Sequence, residues 1–203
     1  MNEKILVVGI GPGNRNYILP AALEALSNSD YILGFARAIE SLSFLENKFV
    51  VVNSLKEIVE FINKNSGCIS VASSGDPCFY GVLEYLKNNL KEDISVIPGL
   101  SSFQYLTAKL KKSWSEAFLG SMHGRESDFL KHVMGNKISI WLTDKESSPN
   151  SLCEKLIENK IRGRVYVGEN LSYEDERIVE GKPEEIILNK YNSLSIFIFE
   201  RID

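Results

Sequence analysis

The sequence lacks several features that would assign it to a class at once. No apolar run approaches the ~20 residues that a membrane-spanning helix needs. Its three cysteines form no CxxC pair and no metal-ligand spacing, a usage typical of free thiols in a reducing cytoplasm. The net charge of -4 lacks the basic excess that nucleic-acid binding favours. We therefore expect a cytoplasmic protein without membrane, metal or nucleic-acid partners, and no cleavable signal after Met1.

Short apolar runs alternate with amphipathic segments along the 203 residues, which is typical of α/β proteins. Strands are predicted at 5–8, 31–34, 49–52, 68–72, 94–97, 117–119, 138–142, 165–167 and 194–199. Helices are predicted at 19–26, 35–45, 55–63, 82–86, 103–110, from 128 onward and at 151–158. We divide the chain into two α/β domains, residues 1–111 and 112–203, with a ligand cleft between them.

The loop Ser73–Gly81 stands where the buried strand 68–72 ends and a helix begins. Open α/β sheets bind ligands at the carboxyl ends of their strands, and Gly75 would let a ligand approach the main chain. Asp76 as an N-cap and Pro77 at the first helical position also fit an ordinary helix start. Both interpretations stay open on the residues alone.

Two other strand ends are rich in glycine. Gly9-Ile10-Gly11-Pro12-Gly13-Asn14 departs from the dinucleotide fingerprint, because Asn14 stands at the third glycine and no acidic residue closes the second strand. This makes a nicotinamide-dependent oxidoreductase the weaker alternative. Pro98-Gly99-Leu100-Ser101-Ser102 follows the strand 94–97, and its two hydroxyls either cap the next helix or meet a polar ligand.

In this order and spacing, the segments GIGPG, SSGDP and IPGLSS resemble the tetrapyrrole methyltransferases over essentially the whole chain. The resemblance implies the two-domain α/β fold of that family with an interdomain cleft, in an enzyme that is usually a homodimer. Such enzymes transfer a methyl group from S-adenosylmethionine to a macrocycle.

Three further segments, 33–37, 121–125 and 168–178, resemble the cobalt-precorrin-7 C5-methyltransferase branch, which acts in cobalamin biosynthesis. A separate partner protein would then carry the decarboxylating methylation at C15.

By this resemblance, the residues expected to bind S-adenosylmethionine are Pro12, Ser74, Gly75, Asp76, Phe79, Ser101, Ser102, Leu142, Glu169, Asn170 and Leu171. Those expected to face the macrocycle are Gly11, Gly13, Arg37, Ser121, His123 and Arg125. The two arginines suit the carboxylates of such a substrate. His123 is either a base, since its ordinary pKa lies near neutrality, or a hydrogen-bonding loop residue. His132 is expected to be solvated and Arg177 to form a local ion pair.

Other functions remain open on the sequence. A relative within the superfamily could methylate another ring position, an RNA or a protein, although the acidic balance disfavours RNA. A tetrapyrrole-binding module without activity is a further alternative, because methyl transfer requires few reactive side chains. The sequence also leaves open whether the substrate contains cobalt and which residue serves as a base.

Overall fold

The computed structural model describes residues 4–122, 128–192 and 195–202. Its contacts divide the chain into two compact units, Met1–Ser102 and Phe103–Asp203. Each unit contains a five-stranded sheet with helices. The contacts assign residues 103–111, which the sequence analysis groups with the first domain, to the second unit.

The first unit is an all-parallel sheet in the order β3-β2-β4-β1-β5. Its elements are β1 (Lys4–Gly9), a 3-10 helix (Arg15–Tyr17), α1 (Pro20–Ser27), β2 (Tyr31–Gly34), α2 (Ala36–Glu40), β3 (Lys48–Val51), α3 (Leu55–Lys64), β4 (Cys68–Ser73), α4 (Leu83–Asn89) and β5 (Ile94–Ile97). All five strands predicted in this unit are confirmed. They were predictable because strands of a parallel sheet are short apolar runs.

Alternate side chains of β1 enter two different cores. Leu6 and Val8 pack in a cluster with residues of α1 and α2, whereas Ile5 and Val7 pack with residues of α3 and α4. Since α1 follows β1 and α4 follows its neighbour β4, the chain leaves two adjacent strands toward opposite faces of the sheet. The carboxyl ends of β1 and β4 therefore form the topological switch point of this sheet, the position at which α/β sheets bind ligands.

The helix predicted at 82–86 is confirmed as α4, which begins at Leu83 with Val82 at its N-cap. Asp76 and Pro77 therefore do not start a helix, and of the two interpretations of their loop the helix start is excluded. One helix prediction in this unit is wrong in its extent. The helix predicted at 35–45 ends at Glu40, after which hydrogen bonds such as Leu42 N–H to Ile39 C=O span three residues instead of four. Beyond Glu40 the chain therefore runs in tight turns rather than a continued α-helix.

The second unit has a mixed sheet in the order β6-β7-β10-β8-β9. Only β6 and β7 pair in parallel among these neighbours. The elements are α5 (Ser102–Lys109), β6 (Phe118–Ser121), α6 (Phe129–Gly135), β7 (Ile138–Leu142), α7 (Pro149–Glu158), β8 (Gly163–Glu169), β9 (Arg177–Gly181), α8 (Pro183–Ile186) and β10 (Ser195–Arg201). Its core is built around the buried rings of Trp141, Phe197 and Phe199.

Sequence reasoning missed β9 and α8, since β9 carries the charged residues Arg177 and Glu180 in five positions and α8 has only four residues. His132 is not simply solvated, because its ring stacks on Phe118 at 3.8 Å between centroids. Lys112 Nζ forms an ion pair with Glu200 at 2.7 Å. In the ranges given above, no helix is both long and apolar enough to span a membrane.

Candidate functional site

Main-chain atoms of three loops touch at the carboxyl edge of the first sheet. Gly9 ends β1, Gly75 follows β4 and Gly99 follows β5. A Cβ atom on Gly99 would lie 2.2 Å from the Gly75 carbonyl oxygen, and one on Gly9 would lie 2.5 Å from the Gly99 nitrogen. Such distances exclude any side chain at Gly9 or Gly99. We call Gly9, Gly11, Gly75 and Gly99 the glycine junction.

The loops after β1 and β4 are also joined by a pair of hydrogen bonds. The Gly75 N–H donates to the Gly11 carbonyl at 2.8 Å, and the Gly11 N–H donates to the Gly75 carbonyl at 3.3 Å. Both residues have a left-handed backbone, with φ of 73° at Gly11 and 70° at Gly75. This conformation favours glycine over residues with a side chain.

Asp76 fastens the loop after β4 to the loop after β5. Its Oδ2 accepts from the Gly99 N–H at 3.1 Å, and its Oδ1 accepts from the Cys78 N–H at 2.7 Å. Asp76 therefore shapes its own loop and the glycine junction rather than capping a helix. Partial burial, together with the Asp76 carboxylate, raises the pKa of the Cys78 thiol, so this exposed thiol is not an activated nucleophile.

The structure brings several predicted cofactor residues to the glycine junction. The Cα of Ser101 lies 3.7 Å from the position a Cβ would take on Gly75, and Ser102 opens α5. Ser101 is buried, whereas Ser74 is exposed. Phe79 is half-buried and packs edge-on against Tyr80 at 5.0 Å.

The other predicted residues of the first unit lie around the loop after β1 and on α2. Pro12 is half-buried beside Gly13, which is buried and has φ of 141°. Arg37 is exposed on α2. The sequence analysis overlooked Arg15, whose guanidinium lies 4.9 Å from the centre of the exposed Phe44 ring.

In the second unit, the predicted Ser121 and Leu142 end the neighbouring strands β6 and β7. Ser121 is buried and Leu142 half-buried, and the Leu142 carbonyl accepts from the Met122 N–H at 2.8 Å. His123 and Arg125 lie outside the described residues. Among the described residues, no group of three His, Cys, Asp or Glu could hold a metal ion.

Glu169, Asn170 and Leu171 stand where β8 leads into the segment 170–176, which we call the β8–β9 loop. The Glu169 side chain is buried and forms an ion pair with Arg177 at 2.5 Å. The local ion pair expected for Arg177 is thereby confirmed, with a partner outside the acidic run 174–176. A cavity of about 260 Å³ adjoins the loop and is lined by Glu169, Asn170, Asp175, Arg177, Lys190, Tyr191 and Asn192.

Glu176 closes the β8–β9 loop through a second network. It accepts from the Ser172 N–H at 2.7 Å, from the Tyr105 hydroxyl, and from Lys109 Nζ at 3.4 Å. Burial alone would raise the pKa of the Glu176 carboxyl, but these donors and the lysine charge lower it overall. Burial and the bond to Glu176 raise the pKa of Tyr105 to about 12, so the phenol stays protonated.

Sequence reasoning placed Gly9 and Gly99 in glycine-rich strand ends but did not count them among the site residues, and it missed Tyr105 and Lys109 as partners of Glu176. Gly9 and Gly99 carried a usable signal, because each glycine follows an apolar strand in a predicted parallel sheet. Tyr105 and Lys109 carried none, since their partner Glu176 is distant in the sequence and only the tertiary fold brings them together.

We predict that alanine has opposite effects on stability at Gly99, in the glycine junction, and at Gly135, outside it. Gly99→Ala should destabilise the protein by on the order of 1–3 kcal/mol, because its Cβ would collide with main-chain atoms that cannot rotate away. Gly135→Ala is the matched control, since nothing lies within 4 Å of its Cβ position and a helical alanine should add about 0.4–1 kcal/mol. Urea unfolding measures both, and an unchanged midpoint for Gly99→Ala would contradict the contact.

The Glu176 network predicts a pH dependence of stability. A carboxyl whose pKa is lowered in the folded state stabilises the fold above its unfolded pKa, and this contribution is lost as the pH falls. The difference in unfolding free energy between the wild type and Glu176→Gln should therefore shrink below the ordinary pKa of 4.5. Unfolding curves recorded between about pH 3 and 7 test this, and a constant difference would count against the network.

The family profile described as Tetrapyrrole (Corrin/Porphyrin) Methylases matches residues 4–187. A probable cobalt-precorrin-7 C(5)-methyltransferase of Methanocaldococcus jannaschii is 35% identical over 211 residues, covering 97% of this chain and 97% of that protein.

Two solved structures share the fold. The precorrin-6Y methylase of Archaeoglobus fulgidus superposes with a TM-score of 0.77 at 27% identity and covers 100% of both chains. A uroporphyrin-III C-methyltransferase of Thermus thermophilus, solved with S-adenosylhomocysteine, gives a TM-score of 0.77 at 17% identity, covering 97% of this chain and 92% of that chain. The extent of the family match and the identity to the Methanocaldococcus protein lead to one conclusion: this chain belongs to the tetrapyrrole methylase family.

Proposed function

We propose that the chain is an S-adenosylmethionine-dependent C-methyltransferase that methylates C5 of cobalt-precorrin-7 in cobalamin biosynthesis. The observation that carries this proposal is the full-length similarity to a protein named for that activity. The precorrin-6Y methylase, which shares the fold over the whole chain, supports the same pathway. Homodimerisation, a cytoplasmic location and a C15-methylating partner protein belong to the proposal as implications of the resemblance.

The glycine junction supports the cofactor assignment. S-adenosylmethionine supplies a methyl group on a sulfonium, an electrophile that needs no nucleophilic side chain from the protein. The close contact of Gly9 with Gly99 and the half-buried Gly75 leave main-chain groups, rather than bulky side chains, along this edge. In our proposal the residues of the first unit that hold the cofactor are Pro12, Ser74, Gly75, Asp76, Phe79, Ser101 and Ser102.

The contribution of the protein to such a reaction is alignment and the exclusion of water. A junction without side-chain rotamers is suited to alignment, because its atoms keep their positions when side chains around them move. Arg37 and Arg125 would neutralise substrate carboxylates, for which the planar guanidinium is the best-matched cation. Leu142 and the residues Glu169 to Leu171 complete the cofactor assignment, and no residue is assigned as the base.

The proposal predicts the ligand preference of the purified protein. Calorimetric titration should detect micromolar binding of S-adenosylhomocysteine and no binding of NADH. In Asp76→Asn the affinity for S-adenosylhomocysteine should fall about tenfold, because the amide keeps one acceptor oxygen and either the Gly99 or the Cys78 N–H loses its acceptor. Asp93→Asn provides the control, since Asp93 is exposed before β5. Binding of NADH alone would overturn the methyltransferase assignment.

A second prediction concerns the substrate. Arg125→Ala should raise the KM for the macrocycle by about tenfold, as expected when a charge-assisted bond to a carboxylate is lost. The dissociation constant of S-adenosylhomocysteine should stay within about twofold, because the resemblance assigns Arg125 to the macrocycle. Steady-state kinetics with cobalt-precorrin-7 and calorimetry separate the two quantities. An unchanged macrocycle KM would remove Arg125 from the substrate residues.

A further inference from the structure

The β8–β9 loop carries an unusual backbone. Asn170 has φ of 46° and Ser172 has φ of 70°, both in the left-handed region that residues with side chains disfavour. Asparagine enters this region more readily than other residues with side chains, whereas a serine there is held by its surroundings. The φ of Ser172, two residues after Asn170, therefore indicates that the shape of this loop is imposed by its contacts.

Glu169 supplies the first of these contacts. The side chain is 3% exposed, its Oε2 accepts from Arg177 Nε at 2.5 Å, and its Oε1 accepts from the Asn192 N–H. Arg177 also donates to the Lys190 carbonyl and lies 5.1 Å above the centre of the Tyr191 ring. Both carboxylate oxygens of Glu169 therefore accept from donors of the protein. Because Glu169 and Arg177 are also paired in the sheet and flank the β8–β9 loop, their ion pair fixes both ends of that loop.

Glu176 supplies the second contact from within the loop. Its bond to the Ser172 N–H holds the residue with φ of 70° directly, and Tyr105 and Lys109 hold the carboxylate from α5. A third bond, from Asn170 Nδ2 to Asp175 Oδ2 at 2.6 Å, crosses the same loop. The acidic residues of this segment thus act on the loop itself.

We propose that Glu169 and Glu176 are positioning residues of the methyltransferase. They hold the β8–β9 loop in the left-handed conformation in which the main chain of Asn170 and Leu171 contacts the cofactor, while neither carboxylate touches it. This inference rests on the proposed function and changes the role of Glu169, which the resemblance assigned to the cofactor directly. What the cofactor meets is the backbone that the two carboxylates shape.

The backbone conformation itself can be tested at Ser172. Valine is β-branched and resists a positive φ, whereas glycine adopts it freely and keeps the N–H that binds Glu176. In Ser172→Val we expect the affinity for S-adenosylhomocysteine to fall about tenfold and the KM for S-adenosylmethionine to rise equally. The kcat at saturating cofactor should change by less than about threefold, since the loop acts on binding. Ser172→Gly should retain wild-type values.

The roles of the Glu169 and Glu176 carboxylates are tested by the same measurement, the affinity for S-adenosylhomocysteine. Glu169→Gln and Glu176→Gln should each weaken S-adenosylhomocysteine binding by about tenfold, because an amide replaces one acceptor oxygen by a donor. The matched control is Glu180→Gln, which removes an exposed ion pair with Arg164 at 2.8 Å on the same two strands. This control should bind as the wild type does. Should Ser172→Val fail to fold, the comparison of Glu176→Gln with Glu180→Gln decides.

The outcomes separate the two proposals. A wild-type protein that does not bind S-adenosylhomocysteine refutes the proposed function. Binding by the wild type, with equal affinities in Ser172→Val and Ser172→Gly, overturns the positioning role. If Glu169→Gln alone abolishes binding while Glu176→Gln and Ser172→Val leave it unchanged, Glu169 is a direct cofactor ligand and the inference is wrong.

Discussion

Contact between main chains is the constraint on which the first unit depends. In a parallel sheet the ends of β1, β4 and β5 reach the same edge, and the close contact there excludes side chains from Gly9 and Gly99. Asp76 then fixes the spacing of two loops with a single carboxylate. The strands formed by the apolar runs therefore also determine the position of the rigid glycine contacts at the carboxyl edge of the sheet.

The second unit reaches a defined loop shape by the opposite means. Its β8–β9 loop has side chains throughout, and buried or half-buried carboxylates bonded to arginine, lysine, tyrosine and backbone donors hold it. Removing one partner of such a group leaves an unpaired charge, which costs more than the pair contributes. The loops of the first unit thus depend on glycines without side chains, and the β8–β9 loop of the second unit depends on paired carboxylates.

Sequence reasoning was reliable where a pattern is local. Nine strands follow from short apolar runs, and the glycine loops and their family resemblance follow from strand ends such as Gly75. Local preference misleads where tertiary contacts outweigh it: Asp76 is a good N-cap by residue type, yet it binds the Gly99 N–H, and α4 begins later, at Leu83. The bond between Tyr105 and Glu176 joins segments that are distant in the sequence, which no window of sequence reveals. Strand β9 was missed because charged residues interrupt its apolar pattern.

The glycine contacts also restrict how this protein can evolve. Because both partners at Gly9 and Gly99 are backbone, no second substitution can restore the space that a first one fills. Exposed side chains outside these contacts, such as Arg15 and Phe44, are not restricted in this way. The main-chain geometry at Gly9 and Gly99 therefore stays the same while exposed side chains elsewhere can be substituted. Proteins with this fold can then acquire new specificities without any change in the contacts between their loops.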